Sequence, residues 1–239
     1  MVDFSIVLPA YNEKDNIVTA ITSANNYLKR RYKSYEIIVV NDGSTDKTEE
    51  IVKRMMKTNE GLRLVSHAAN RGYGATLRSG FEEAQGKLIF YTDSDNQYDI
   101  GELDTLIPLM KELDIAAGYR INRQDPWMRI VTASVYNQII RWLLGLKIKD
   151  VDCSFKLYKK EVFDGIKLKS NTGLLDAEIL IKAGKKGFKI GQIGVTHYPR
   201  TAGQTIYEIG KRNKFFAIID PKVPIEILKE IGKLWKELR

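Results

Sequence analysis

Two carboxylates one residue apart, Asp93 and Asp95, sit in the stretch 88–99, LIFYTDSDNQYD, with Gln97 and Asp99 close behind them. The apolar run Leu88-Ile89-Phe90-Tyr91 reads as a buried strand, which puts both acids at its C-terminal end. Paired acids make a poor core and a good cation site. Hard divalent ions take oxygen ligands and often share them between one or two carboxylates and a substrate's phosphates. Open α/β sheets bind ligands beyond the carboxyl ends of their strands. The first hypothesis is therefore a metal–diphosphate site with Asp93 and Asp95 at its centre. The competing reading is an acidic surface turn, because Asp-Ser-Asp-Asn is also good turn chemistry. The motif by itself leaves the two even.

The elements that must carry these acids recur along the chain. Strands are expected over 4–9, 35–40, 62–65, 88–91 and 115–120. Helices are expected from the 15–16 cap to about residue 31, over 47–57, through about residue 84 and over 103–113. Such alternation argues for a parallel, doubly wound sheet with right-handed crossovers. The polar turns 11–13, 41–46, 70–74 and 93–99 then all lie on one edge. NRGYGATLRSG adds Gly72 and Gly74 before a helix, where exposed N–H groups suit phosphate. It matches neither the Walker pattern nor the dinucleotide fingerprint. For Ala75 and Gly80 a small-residue packing face is the better reading, and for Arg71 and Arg78 the choice is open.

Later segments carry further polar groups. Residues 127–146 read as a helix with an apolar stripe at Met128, Val131, Val135, Ile139, Trp142 and Leu146. A core-packing helix is favoured over one lying on a lipid surface with arginines toward headgroups. Asp176 and Glu178 fall in an otherwise apolar helix start, as partners of the helix dipole or as functional groups. His197 is a weak metal candidate, since His67 is the only other histidine and no ligand spacing joins them. The tail 221–239 places Ile227, Leu228, Ile231, Leu234, Trp235 and Leu238 at helical spacing. It suits packing on the body or a twin subunit as well as an interfacial anchor.

Composition bounds the partners. The 239 residues suit a single catalytic domain over 1–220 followed by the amphipathic helix 221–239. A net charge of +8 favours an anionic partner, and the absence of a long basic run argues against nucleic acid. One cysteine, Cys153, excludes an intramolecular disulfide. No apolar run reaches the roughly 20 residues of a membrane span, and no basic leader precedes the first strand. A cytoplasmic protein is expected, soluble or peripheral on the cytoplasmic face of a membrane.

Taken in order, SIVLPAYNE, EIIVVNDGSTD, NRGYGATLRSG, TDSDNQYD, DCSFKLYKKEVF and RTAGQT resemble the inverting family-two glycosyltransferases. Within them the chain resembles the polyprenyl-phosphate hexosyltransferases, of which dolichol-phosphate mannose synthase is typical. The resemblance spans roughly residues 3–205. It implies a glycosyltransferase-A fold, a Rossmann-like mostly parallel sheet flanked by helices, and a nucleotide-sugar donor. It implies that Pro9, Tyr11, Asn12 and Glu13 with Asp42 hold the nucleoside. The donor set extends to Asn70, Arg71, Gly72 and Ser94. Asp93 and Asp95, with Gln97, would ligate Mg²⁺ or Mn²⁺. Arg120, Arg129, Ser134 and Arg200 would grip the acceptor lipid phosphate or the donor's phosphates. Asp152, Asp176 and Glu178 would stand on the sugar side. The chain departs from the family in reading DSDNQ for DADLQ and DCSFK for the usual Thr-Ser-Gly-Phe-Arg run.

The function that follows is metal-dependent, inverting transfer of a hexose from a nucleotide diphosphate sugar to a polyprenyl (dolichyl) phosphate, mannose from GDP-mannose being favoured. The alternatives are a UDP-sugar donor, UDP-glucose first, with a lipid-phosphate or glycan-hydroxyl acceptor. An anionic phosphate acceptor needs positioning by arginines more than a base. A hydroxyl acceptor needs a base, for which Asp152 or Asp176 is the candidate. A nucleotidyltransferase would carry a glycine-rich basic loop after the first strand, where this chain has PAYNE. A non-catalytic membrane-surface module would leave the acids at the strand ends unexplained.

Overall fold

In a computed structural model the described residues are 2–123, 127–200, 202–203, 208–209, 218–219 and 222–238. Seven strands form one sheet: β1 (Phe4–Ala10), β2 (Tyr35–Asn41), β3 (Leu62–Ser66), β4 (Leu88–Thr92), β5 (Ile115–Ile121), β6 (Phe155–Lys159) and β7 (Ile190–Thr196). Their order is β3-β2-β1-β4-β6-β5-β7. Every residue of β1 is buried, as expected of a central parallel strand covered on both faces. β1 pairs in parallel with β2 on one side and β4 on the other, so strand order reverses between β1 and β4. That reversal opens a crevice at the strands' carboxyl ends, and Asp93 follows β4 directly into it.

Helices cover both faces. α1 (Ile17–Lys29) and α2 (Thr48–Met56) follow β1 and β2, and α3 (Tyr73–Glu83) follows β3. α1 buries Ile17, Ile21 and Leu28 against Ile6, Leu8 and Phe90. On the other face α3 and α7 (Leu174–Lys185) close a core with Tyr91 and Tyr158, where Phe81 and Phe163 stack at 4.3 Å between centroids. Gly80 reads as a packing residue: a Cβ there would meet Val7 Cγ1 at 2.3 Å.

Several expectations change. The expected helix over 103–113 is a single turn, α4 (Leu103–Leu106), between 3-10 turns at Ile100–Glu102 and Ile107–Lys111. Pro108 lacks an N–H and cannot continue an α-helical ladder. β6 was not expected, because Lys156 interrupts its apolar run; it runs antiparallel to both β4 and β5, the one reversed strand of the sheet. β7, with two glycines and a glutamine, has weak strand propensity and forms the far edge beside β5. α6 (Lys160–Gly165) follows β6, and β8 (Glu208–Ile209) pairs antiparallel with β9 (Ile218–Ile219).

The two amphipathic helices differ in where their apolar stripes face. In α5 (Trp127–Leu144) four residues of the stripe expected in the core face outward: Val131, Val135, Ile139 and Trp142 are exposed, while Asn137, Ile140 and, just past the helix, Leu146 of the stripe are buried, and the Met128 side chain lies outside the described residues. In α8 (Lys222–Leu238) the stripe packs on the body. Ile231, Leu234 and Leu238 join the core beside α7, and Glu237 bonds Lys169 and Lys182.

Candidate active site

The loops after β1, β2 and β4 are stitched together before any ligand enters. Asn12 adopts a left-handed backbone (φ 56°), and its side-chain carbonyl accepts from Thr45 N at 2.8 Å. Its own N–H donates to Ser44 Oγ at 2.9 Å. Asn12 thus braces the loop through its Oδ1 and backbone N–H. Ser94 Oγ donates to the carbonyl of Pro9 at 2.7 Å, locking the β4 end to the β1 end. Gly43 (φ +67°) passes within 2.5 Å of the Ala69 backbone, measured from the Cβ position it lacks, so the turn after β2 admits only glycine.

Asp42 organises the second shelf. It is buried and accepts from His67 Nδ1 at 2.7 Å, from Arg71 N at 2.9 Å and from Gly72 N at 3.0 Å. His67 Nε2 lies 3.0 Å from Ser79 Oγ, which fixes the ring. Asp42 therefore holds the Asn70–Gly72 turn in place, and Gly72 takes φ +95° under the carbonyl of Asn171 to make that turn. The Asn70 and Arg71 side chains are exposed, and Tyr11 is half-buried. Arg78, left open by the sequence, donates to Ser170 O and Asn171 Oδ1.

The two central acids differ in environment. Asp93 Oδ1 accepts from Tyr73 Oη at 3.0 Å and Oδ2 from Ser154 Oγ at 2.7 Å. Asp95 Oδ1 accepts from Gln97 N at 3.2 Å, and Oδ2 lies 3.3 Å from Arg200 Nη1. Arg200 Nη2 meets Glu13 Oε1 at 2.5 Å. Burial and the neighbouring Asp93 charge raise Asp95 to about 7, with Arg200 opposing them. Gln97 is buried, and its amide nitrogen donates to Tyr198 O at 3.0 Å.

These residues fit a hard divalent cation. Glu13 and Asp95 share the Arg200 guanidinium, and Asp93 adds a third carboxylate next to Asp95, so ionisation leaves an excess of negative charge beside the crevice. Among the described residues no group of three or more His, Cys, Asp or Glu converges to hold a metal unaided. A pair of carboxylates completed by phosphate oxygens is the arrangement Mg²⁺ accepts.

On the far side of the crevice the sequence-named residues divide. Arg120 forms a buried, bidentate pair with Asp150, Nε–Oδ2 and Nη2–Oδ1 both 2.7 Å. Its fork is occupied by that partner, so a phosphate role for Arg120 requires exchange of Asp150. Ser134 Oγ donates to Ile130 O at 2.8 Å within its own helix. The side chain of Arg129 lies outside the described residues. Asp176 is fully enclosed by Lys156 Nζ at 2.6 Å and by Tyr91 Oη. There it makes a buried ion pair with Lys156. Glu178 is also enclosed: its oxygens accept from Lys169 N, Ser170 N and Lys182 Nζ, and none of it is exposed. Asp152 is the exception. Among the described residues it accepts no hydrogen bond, and burial with the Asp176 charge raises it to about 7.

Four residues that reasoning from sequence did not assign to the site support it: Tyr73, Ser154, His67 and Asp150. Tyr73 and Ser154 lie inside the NRGYG and DCSF motifs, where hydroxyls beside glycine or acid were the available signal. His67 and Asp150 act across the fold and carry no local pattern.

Residues 5–166 match the model of glycosyl transferase family 2. The chain belongs to that family. The family 2 chain is 30% identical over 219 residues to the dolichyl-phosphate beta-glucosyltransferase of Saccharomyces cerevisiae, covering 80% of itself and 66% of that protein. It is 28% identical over 226 residues to the dodecaprenyl-phosphate galacturonate synthase of Rhizobium johnstonii, covering 91% and 65%. Against glycosyltransferase AglD of Haloferax volcanii it is 29% identical, covering 83% of itself but 34% of the relative. The chain thus spans between about a third and two thirds of these relatives. Polyprenyl-phosphate sugar transferases recur among them, in keeping with the branch the motifs resemble. Glucosyl-3-phosphoglycerate synthase of Mycobacterium tuberculosis, solved with Mn²⁺ and UDP, shares the fold at TM-score 0.61 and 20% identity, covering 84% of this chain and 73% of its own.

Proposed function

We propose that the chain transfers a hexosyl group, with inversion, from a nucleotide diphosphate sugar to a polyprenyl phosphate. The observation that carries this is the pairing of Asp93 and Asp95 at the β4 end with buried Arg200 as their counter-charge. A divalent cation, Mg²⁺ or Mn²⁺, held there by Asp93 and Asp95 with Gln97 beside them, would supply Lewis-acid stabilisation of the leaving diphosphate. Tyr73 and Ser154 fix the Asp93 carboxylate, and Ser94 anchors its loop to β1. Asp42 shapes the turn whose Arg71 and Gly72 border the nucleoside side. Arg200 adds positive charge where phosphates collect. An acceptor phosphate is already anionic near neutrality, with a second pKa of about 6, so no base is required for it to attack. A lipid acceptor also requires the chain to work at a membrane surface.

Of the two donors weighed from the sequence, GDP-mannose and UDP-glucose, the names of the glucosyltransferase relatives favour the second. Thermal shifts with GDP-mannose, UDP-glucose and UDP-N-acetylglucosamine, each with Mn²⁺ and with chelator, decide the donor, because a ligand that binds only the folded state raises its stability. Radiolabel transfer to a short polyprenyl phosphate then tests the acceptor. A metal-dependent shift with one donor and label in the lipid are expected. No shift with any donor would overturn the reading.

A further inference from the structure

The outward side of α5 is an apolar stripe left exposed among the described residues. Val131, Val135, Ile139 and Trp142 are 51%, 50%, 39% and 85% exposed. Their spacing of four, four and three residues keeps them on one helix face. The inner face is fastened: Ile140 is fully buried, and Asn137 Oδ1 accepts from Val151 N at 2.9 Å. The helix is therefore held with its apolar side outward by the same segment that carries Asp150 and Asp152.

Charge says what covers it. From Trp127 to Lys149 the sequence holds Arg129, Arg141, Lys147 and Lys149 and no Asp or Glu. Lys147 and Lys149 are exposed in the segment that follows the helix, the Lys149 ammonium lying 4.2 Å from the centroid of the Tyr119 ring. A tryptophan on an apolar face rimmed by bases is the composition of a helix lying in a headgroup layer. A twin copy meets the same stripe with the same bases, and like charges across a two-fold interface repel. α8 differs: its exposed Ile225 and Leu228 stand among both signs of charge, Glu226 and Lys229, and its inner side is packed.

We propose that the outer face of α5 docks the chain on an anionic phospholipid bilayer, Trp142 and the two valines entering the interface and Lys147 and Lys149 meeting headgroup phosphates. No helix among the described residues is long and apolar enough to span, so the contact is peripheral. This deepens the lipid-acceptor reading, but its evidence and its test do not depend on turnover.

The test is flotation of the full chain with phosphatidylcholine vesicles containing a quarter phosphatidylglycerol, against phosphatidylcholine alone. Anionic vesicles should bind it at least tenfold more strongly, and the difference should shrink as salt is raised. Trp142→Ser with Val135→Ser should cut binding by tenfold or more, and Lys147→Glu with Lys149→Glu by a similar factor, at roughly fivefold per basic residue lost. Cys153 is buried, so Val135→Cys accepts an environment-sensitive dye selectively. Its emission should shift blue with anionic vesicles, and a dye at the exposed Lys53→Cys should not shift. Unchanged flotation of both double variants, or a dye at 135 silent to lipid, overturns the proposal. So does a blue shift that follows protein concentration without lipid, which assigns the face to a second copy. If docking fails while label still passes to detergent-dispersed polyprenyl phosphate, the transfer reading stands and only the α5 surface falls.

Discussion

Arg200 Nη1 lies 3.3 Å from Asp95 Oδ2 with 6% and 10% of the two side chains exposed, so the guanidinium stands where the charge of a bound cation would be felt. Arg200→Ala leaves Asp95 and Glu13 buried without it. Breaking such a pair costs about 3 kcal/mol, so the free chain should melt several degrees lower. Mn²⁺ should recover part of that loss, and its apparent affinity without donor should rise, because a competing positive charge has gone. Differential scanning fluorimetry with and without MnCl₂ reads both. An unchanged Tm, or weaker Mn²⁺ binding, would remove Arg200 from the charge balance of the site.

Asp150 and Arg120 make stability depend on acid. Burial favours the neutral acid, but the side-chain hydrogen bonds, charge and backbone N–H of Arg120 outweigh it and hold Asp150 at about 2. A carboxyl depressed from 3.8 contributes stability that is complete above about pH 4 and is lost as pH falls through 2. The amount is about 2 kcal/mol. Asp150→Asn should flatten denaturant stability between pH 4 and pH 2 while lowering it at neutrality, where Arg120 is left buried without a carboxylate. Parallel pH curves for variant and wild type would contradict this.

Asp152 has the opposite sign. Burial first, then the Asp176 charge, raise it to about 7. Ionising it in the fold costs free energy, so its contribution to stability declines as pH rises from about 4 to 7. In catalysis the group discriminates between acceptors. With a hydroxyl acceptor Asp152→Asn should abolish turnover and remove a limb of the kcat profile near pH 7, as a general base worth about 10²–10⁴-fold would. With polyprenyl phosphate the loss should stay within about tenfold. Equal, severe losses with both acceptors would assign Asp152 to binding instead.

Much of this arrangement is legible in the sequence, for a physical reason. β1, β2 and β4 are continuous apolar runs ended by polar turns, and a parallel sheet puts every such turn on one edge; Asp93, Asp95, Asp42 and Asn12 meet there as their spacing implies. What escapes is set by partners distant along the chain. Lys156 is fully buried, because Asp176 and the Cys153 carbonyl hold its ammonium, and neither partner is signalled by local pattern. Glu178, left open between dipole partner and functional group, accepts from the 169–170 backbone. The stripe of α5 is identical in pattern to that of a core helix. Periodicity reports which residues share a face, and only tertiary contacts decide where that face points.

The hydroxyls on Asp93 supply the last prediction. Tyr73 and Ser154 each donate to a different oxygen of that carboxylate. Asp93→Ala should abolish turnover with either class of acceptor, since half the carboxylate pair is gone. Tyr73→Phe and Ser154→Ala keep the charge and remove one hydrogen bond each. Partners that orient a metal-binding carboxylate are worth about 10–100-fold in affinity, so each variant should weaken Mn²⁺ binding by that order. The two act on one carboxylate, so their effects should be non-additive in the double variant. Titration of free Mn²⁺ by electron paramagnetic resonance measures the affinities directly. Wild-type Mn²⁺ affinity in both single variants, or in Asp93→Ala, would remove Asp93 from the cation site.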